Sequence, residues 1–398
     1  MTDSPSQLKV EYSVGQRRFP SRSRELLTNE LLDVLDDSFP PGFNLAVVDK
    51  SGPVFRAWGG NSCVVGTTIP TSRDTRYDLA SLSKVVATTT LAMWLVENKR
   101  WKLSDKVSTW LPEFQRNDIT LWHLITHTSG LVAHRPFFQL GQRPRAIRQA
   151  VYDEALADEA PGRVLYSDLN FMLLGWAVEQ CAGKPLQVLF RDTIATPLQM
   201  TATGYRPSVR DRMKIAATEL DGDQRLAPAL VWGEVHDGNA WALRGIAGHA
   251  GLFAPGDDMS RFVAALLDAK HHPVLKASTI ATMTRFQARS RPDVRAIGWR
   301  LQPQGWGKWP EDTYWHTGFT GTSLLLAPKE NIGVVLLMNA VHPTRQLDRQ
   351  AAIRSRIHRA IARSLPCASQ AIVKPCDYWV PNRCDPNSPI SIDSTSAT

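Results

Sequence analysis

Residues 76–96 read Arg76-Tyr77-Asp78-Leu79-Ala80-Ser81-Leu82-Ser83-Lys84-Val85-Val86-Ala87-Thr88-Thr89-Thr90-Leu91-Ala92-Met93-Trp94-Leu95-Val96. A long run of mostly apolar residues follows Ser81-Leu82-Ser83-Lys84, so the pattern predicts a helix that begins at Ser81. Side chains three apart on a helix share a face, one turn apart. Ser81 and Lys84 can therefore meet, a hydroxyl beside an amine able to take its proton. Serine is a weak nucleophile until such a group adjoins it. The start of a helix also offers free N–H donors and a partial positive charge where an oxyanion would form. The same spacing recurs at Ser6-Gln7-Leu8-Lys9, in a polar stretch with no helix signal. Context separates the two copies and makes Ser81 the candidate nucleophile.

Away from this stretch, the 398 residues are 43% hydrophobic and 21% charged, which fits a globular chain with a large core. The longest apolar candidate, Ile332 to Met338, is far short of the 18 residues a membrane span needs and reads as a buried strand. The polar N-terminus carries no signal-peptide pattern, so a cytoplasmic location is expected. Cys63 and Cys181 are expected to be small buried hydrophobes, and Cys367, Cys376 and Cys384 match no zinc spacing. The net charge is +8, and the densest basic cluster is Arg345, Arg349, Arg354, Arg356, Arg359 and Arg363. These share a helical segment with Leu347, Ile353, Ile357 and Ile361, so a helix packed on a sheet is expected rather than a nucleic-acid surface.

Element order sets the architecture. Residues 1–22 are expected to lack order. Ser23 to Ser38 reads as an amphipathic helix, and Asn44 to Val48 and Val54 to Trp58 as a hairpin around Asp49-Lys50-Ser51-Gly52-Pro53. Helices are predicted at Ile119 to His127, Pro144 to Ala157, Asp168 to Ala182 and Pro185 to Ile194. After Gly245 come a helix at Asp257 to Ala269, strands at Ile297 to Leu301, Thr322 to Leu326 and Ile332 to Met338, and a closing helix at Gln346 to Ser364. Strands at both ends of the chain imply an α/β (α+β) fold. It has one antiparallel sheet flanked by helices (about 23–100 and 246–365), with an all-helical lobe inserted between (about 101–245). Residues 366–398 read as a loose tail. A cleft between sheet and lobe is the expected site.

Other stretches carry chemistry. In Tyr166-Ser167-Asp168-Leu169-Asn170, Asp168 is a good N-cap for the following helix, and the Tyr166 phenol is placed to relay a proton. In Tyr314-Trp315-His316-Thr317-Gly318-Phe319-Thr320-Gly321-Thr322-Ser323, the glycines let backbone approach a ligand. His123 and His127 are four apart, but the glutamate of a His-Glu-x-x-His zinc motif is missing, so they are expected to bond loop backbone. Gly245-Ile246-Ala247-Gly248-His249-Ala250-Gly251 is not a nucleotide-binding glycine pattern.

Taken together and in order, Ser81-x-x-Lys84, Tyr166-x-Asp168 and His316-Thr317-Gly318 resemble the β-lactamase-related serine hydrolases. These include class C β-lactamases, D-Ala-D-Ala peptidases, D-aminopeptidases and serine esterases. Ile119 to Leu131, Gly233 to Ala240 and Ala247 to Phe253 are similar to stretches in the same family, and the resemblance covers about residues 25–365. It implies that Ser81 is the nucleophile, Lys84 its base or proton shuttle, and Tyr166 the relay to the leaving group. It also implies an oxyanion hole from the N–H groups of Ser81 and Phe319, with Asp168, His316, Thr317 and Gly318 lining the substrate site. Two positions depart from the pattern: Asp168 stands where asparagine is usual, and His316 where β-lactamases and peptidases usually carry lysine. With histidine in place of lysine, carboxylate recognition is expected to be weak and pH-dependent. The expected activity is serine hydrolysis of esters or small amides through an acyl-enzyme. The alternatives are a D-Ala-D-Ala carboxypeptidase or β-lactamase-type enzyme on peptidoglycan-derived peptides, and a weakly catalytic binding or sensor protein. A small-molecule substrate is expected, with no cofactor, metal, nucleic acid or membrane partner.

Overall fold

The computed structural model describes residues 8–12, 21–154, 161–220 and 229–363. Its thirteen strands are β1 (Lys9–Tyr12), β2 (Gly42–Asp49), β3 (Gly52–Cys63), β4 (Ile69–Pro70), β5 (Tyr77–Asp78), β6 (Gly204–Tyr205), β7 (Leu252–Ala254), β8 (Ala288–Ser290), β9 (Asp293–Arg295), β10 (Arg300–Leu301), β11 (Tyr314–Thr317), β12 (Ser323–Ala327) and β13 (Ile332–Met338). The main sheet runs β1-β3-β2-β13-β12-β11-β10-β9-β8, with β4 on β3. Every pairing in it is antiparallel.

The central strands are apolar on both faces, and their alternation divides the core. Val334, Leu336 and Met338 pack on one side with Leu27, Leu31, Ile357 and Ile361. Val335 and Leu337 point to the other, among Phe262, Val263, Val85 and Phe171. The helices Ser21–Asp36 and Leu347–Ala362 cover the first face, and Gly256–Leu267, Thr90–Glu97 and Asp168–Ala182 lie on the second side. The arginines of the last helix tie the first layer together. Arg356 pairs with Glu30 and Asp33, and Arg359 donates to the Gly305 carbonyl at 3.0 Å. Cys63 and Cys181 are buried free thiols. Among the described residues no helix is long and apolar enough to cross a membrane.

Several elements differ from the sequence expectation. Lys9–Tyr12 is ordered as a strand, because β3 offers an open edge and Phe55 receives the Tyr12 ring at 5.7 Å. Ser6 lies outside the described residues, and Lys9 of the second Ser-x-x-Lys copy is in this strand rather than a helix. The helix after Thr120 is only Leu121–Ile125, because His127 adopts φ +58° and breaks it. The 297–301 strand shrinks to Arg300–Leu301. Gly298 makes a tight turn at φ +75°, where a Cβ would meet Thr89 Oγ1 at 2.2 Å. Among the described residues of the insert β6 is the one named strand, and it pairs with β7, which pairs with β5, in a small second sheet. The helix expected over 144–157 is described as Pro144–Tyr152, with 155–160 outside the described residues. The expected tail, with Cys367, Cys376 and Cys384, also lies outside them.

Candidate active site

β5 delivers the chain to Ser81 through a pinned loop. Thr320 Oγ1 donates to the Asp78 carbonyl at 2.7 Å, and Thr322 Oγ1 to that of Leu79 at 3.1 Å. The Asp78 carboxylate accepts the Ala80 N–H at 2.8 Å, and Ala80 sits at φ +46°. A non-glycine residue held there immediately before the candidate nucleophile is stored backbone strain of the kind found at functional sites. The helix then opens with a wide π turn over Lys84–Thr89 before becoming α-helical at Thr90. The Thr90 hydroxyl takes the Val85 carbonyl, five residues back, at 2.9 Å, while Thr88 Oγ1 reaches out to the Gly248 carbonyl at 2.6 Å.

Lys84 is fully buried, and its ammonium has three partners: Ser81 Oγ at 2.9 Å, Asp168 Oδ1 at 2.7 Å and the His249 carbonyl at 3.1 Å. Burial works to lower its pKa, but the Asp168 carboxylate and the Tyr166 phenol outweigh burial and raise it above the ordinary lysine value. Burial likewise opposes ionisation of Asp168, yet Lys84, His134 and His249 hold its carboxyl far below the usual range. The pair is therefore ammonium and carboxylate at neutral pH, and Lys84 presents a donor, not a lone pair, to Ser81.

Asp168 was expected as a helix cap and is not one. Ser167 occupies the N-cap, and Asp168 is the first helical residue with its side chain turned to Lys84. The attraction of a buried cation outweighs a local backbone bond. Tyr166 is fixed from behind by the His127 loop: the rings lie 4.5 Å apart, Leu165 N–H donates to the His127 carbonyl at 2.8 Å, and Ser167 N–H donates to His127 Nδ1 at 3.1 Å. His123 instead caps its own helix, accepting the Thr120 N–H at 3.0 Å. Both histidines thus bond loop backbone. Among the described residues no group of three or more His, Cys, Asp or Glu side chains is arranged to hold a metal ion.

Two cations face the Tyr166 ring, with Lys84 Nζ 5.1 Å and Arg295 Cζ 5.2 Å from its centroid. Arg295 had no signal in the sequence. It is 1% exposed and reaches Asp293 at 3.2 Å. His316, on β11, lies across the site with its ring 6.1 Å from that of Tyr166. Its Nδ1 is 2.9 Å from the Thr317 carbonyl, which can only accept, so Nδ1 carries the proton and Nε2 is left as a buried acceptor. Burial, followed by the Lys84 and Arg295 charges, pushes His316 well below the ordinary histidine range. The imidazole is therefore held toward its neutral form, which moves its titration below the near-neutral range expected from the sequence.

After Thr317 the chain closes on the nucleophile loop. A Cβ on Gly318 would meet the Leu79 carbonyl at 2.5 Å, so only glycine allows this approach. Phe319 follows, 42% exposed, stacked on His236 at 5.6 Å with the Arg345 guanidinium 5.6 Å from its ring. Neither the Ser81 nor the Phe319 N–H donates to an acceptor among the described residues. The 245–253 stretch has a packing role. Gly248 lies against Gly175 backbone to backbone, and His249 is anchored to Asp237 at 2.8 Å, which sets its carbonyl on Lys84.

The site thus brings together Ser81, Lys84, Tyr166, Asp168 and His316, with Thr317, Gly318 and Phe319 at the nucleophile loop. A relative from Salmonella typhimurium (strain LT2) described as "Putative D-alanyl-D-alanine carboxypeptidase" is 27% identical, over 86% of this chain and 90% of its own length. The structure of EstCE1, "a hydrolase with promiscuous acyltransferase activity", superposes with a TM-score of 0.71 at 22% identity, covering 85% of this chain and 98% of that one. A class C beta-lactamase superposes with a TM-score of 0.69 at 17% identity, covering 87% and 98%. These two likenesses establish the fold. The family model described as Beta-lactamase matches residues 35–356, and the chain belongs to that family as a serine hydrolase.

Proposed function

We propose that the protein hydrolyses neutral esters or small amides through an acyl-enzyme on Ser81. The observation that carries this is the three-way grip on Lys84, which keeps a fixed cation against Ser81 Oγ. Because the lysine is already protonated, the proton path runs through Tyr166. As Ser81 Oγ attacks the carbonyl carbon, its proton passes to the phenol oxygen while the phenol proton passes to the leaving group. The phenol ends as it began, and the acyl group is on Ser81. Water then attacks the acyl carbon, giving a proton to Tyr166 as the Tyr166 proton returns to Ser81. Lys84 stabilises the developing serine alkoxide throughout, and the N–H groups of Ser81 and Phe319 receive the carbonyl oxygen.

The preference for neutral substrates follows from His316. A neutral imidazole that offers an acceptor gives a substrate carboxylate nothing to bind. His316→Lys should therefore improve acylation by a carboxylate-bearing β-lactam relative to a neutral aryl ester by about 1.5–3 kcal/mol, one charge-assisted hydrogen bond. The measurement is kcat/KM for both substrates from pH 6 to 8 in both proteins. A carboxypeptidase is the second reading, favoured by the description of the Salmonella relative and by the buried Arg295 cation near Tyr166. It becomes the better one if the wild type already prefers the anionic substrate at pH 8.

Asp168 has its own expected effect. Asp168→Asn removes the counter-charge while Lys84 stays buried, so the lysine pKa falls. Ester turnover in the variant should then titrate between pH 6 and 9, where the wild-type ion pair does not. His134, 3.8 Å from Asp168, is half-exposed and is raised by the same carboxylate, so the profile is repeated in His134→Gln to remove its contribution. Flat profiles for Asp168→Asn in both backgrounds would count against the charge state assigned to Lys84.

A further inference from the structure

We propose that Arg354, on the far side of the sheet from Ser81, is the positioning residue of the oxyanion hole. It holds the Gly318–Phe319 peptide so that the Phe319 N–H faces the cleft. The inference rests on the acyl-enzyme reading above.

Arg354 belongs to the helix Leu347–Ala362, whose arginine cluster reads in the sequence as part of a surface helix packed on a sheet. It is instead 9% exposed, and its Nη2 donates to the Gly318 carbonyl at 3.1 Å. One turn earlier, Gln350 is 4% exposed and its Nε2 donates to the Phe319 carbonyl at 3.0 Å. A single helix face therefore takes two successive carbonyls of the loop that follows β11. The only cis peptides among the described residues precede prolines, so the Gly318–Phe319 bond is trans. In a planar trans peptide the C=O and N–H point in opposite directions. With the Gly318 oxygen drawn toward the helix, the Phe319 N–H must point away from it. That is the side on which Thr320 and Thr322 bind the Asp78 and Leu79 carbonyls, next to Ser81.

Glycine on one side of this peptide makes a plane flip easy unless something holds it. The Gly321 N–H donates to the same carbonyl at 3.2 Å within the turn, and Arg354 adds a hold from the helix side and a second effect. A cationic donor on the carbonyl polarises the amide and strengthens its N–H as a donor. Burial lowers the Arg354 pKa to about 10, which leaves it charged at neutral pH. Its Nε is buried without a partner among the described residues, so the side chain is held for the bond it makes through Nη2 rather than for a full set of structural contacts.

The test compares wild type, Arg354→Gln and Arg354→Lys on a neutral aryl ester. It reads kcat, KM and the infrared carbonyl stretch of the acyl-enzyme, with thermal unfolding as a fold control. Arg354→Gln should lower kcat on the order of 10²-fold, the scale of losing one oxyanion donor, with KM little changed. Its acyl carbonyl should absorb at higher wavenumber, because the hydrogen bond to it weakens. Arg354→Lys keeps a cationic donor and should recover most of the loss. A purely structural tie would shift unfolding and leave the stretch where it is. If the glutamine variant does not fold, Arg354→Met, which fills the buried space without a stranded amide, is read in the same way. An unchanged stretch and kcat in a folded variant overturns the proposal, as does loss of the fold in both, which would assign Arg354 to stability alone. Absence of any acyl-enzyme in the wild type refutes the acyl-enzyme reading instead, so the two failures are distinct.

Discussion

Ser81→Ala removes nearly all ester turnover. Loss of the nucleophile of a serine hydrolase costs roughly 10⁶-fold in kcat, with the remaining rate supplied by the oxyanion hole and binding. The substitution is mild for the fold. It deletes one oxygen, and Lys84 keeps its bonds to Asp168 and to the His249 carbonyl. Unfolding temperature should therefore stay near wild type while turnover collapses. Residual turnover within tenfold of wild type would place the chemistry on another residue.

Tyr166→Phe and Lys84→Ala each lower kcat by roughly 10²–10⁴-fold, the range for a positioned proton-transfer group. Tyr166→Phe is the cleaner of the two. It removes one oxygen, and the ring keeps its place between His127, Lys84 and Arg295. Lys84→Ala also strands the Asp168 carboxylate. Breaking a buried pair in this way costs about 3–5 kcal/mol when both partners are fully buried, and less here because Asp168 is one-fifth exposed. Part of its loss will appear as instability. Since one proton path runs past Ser81, Lys84 and Tyr166, the double variant should lose far less than the product of the single losses. Multiplicative losses measured under conditions where each variant is folded would separate the two residues into independent roles.

The sequence was most informative where a local pattern and a packing need coincide. Ile332–Met338 is apolar at every position because it is buried on both faces, and its limits are legible to the residue. Asp168–Ala182 is equally clear, since apolar residues run to the Gly183 C-cap in the left-handed region. Ser81 and Lys84 could be paired from spacing alone, because three residues along a helix fix their distance. Asp168 was named for the site but misread locally. A cap is a short-range inference, and the Lys84 ammonium that claims its carboxylate is 84 residues away. Arg295 and Arg354 could not be found in this way. Each reaches the site only because the fold brings β9 and the last helix there; Arg295 sits in no pattern, and the arginine cluster that holds Arg354 does not mark which of its members turns inward. The short strands β5, β6 and β7 were missed for the same reason: two or three residues carry no periodicity, and only mutual pairing makes them strands. His316 was legible as a departure from lysine. The strength of its neutrality was not, because burial is its leading cause and burial is a property of the fold.

The central claim is that one serine, held against a buried lysine cation, carries the acyl group. Its most direct test is intact-protein mass measurement after a fluorophosphonate probe, followed by mapping of the labelled peptide. The account predicts a single adduct, located on Ser81 and absent from Ser81→Ala. An adduct that survives that substitution, or one that maps to Ser83 or Ser6, would contradict it.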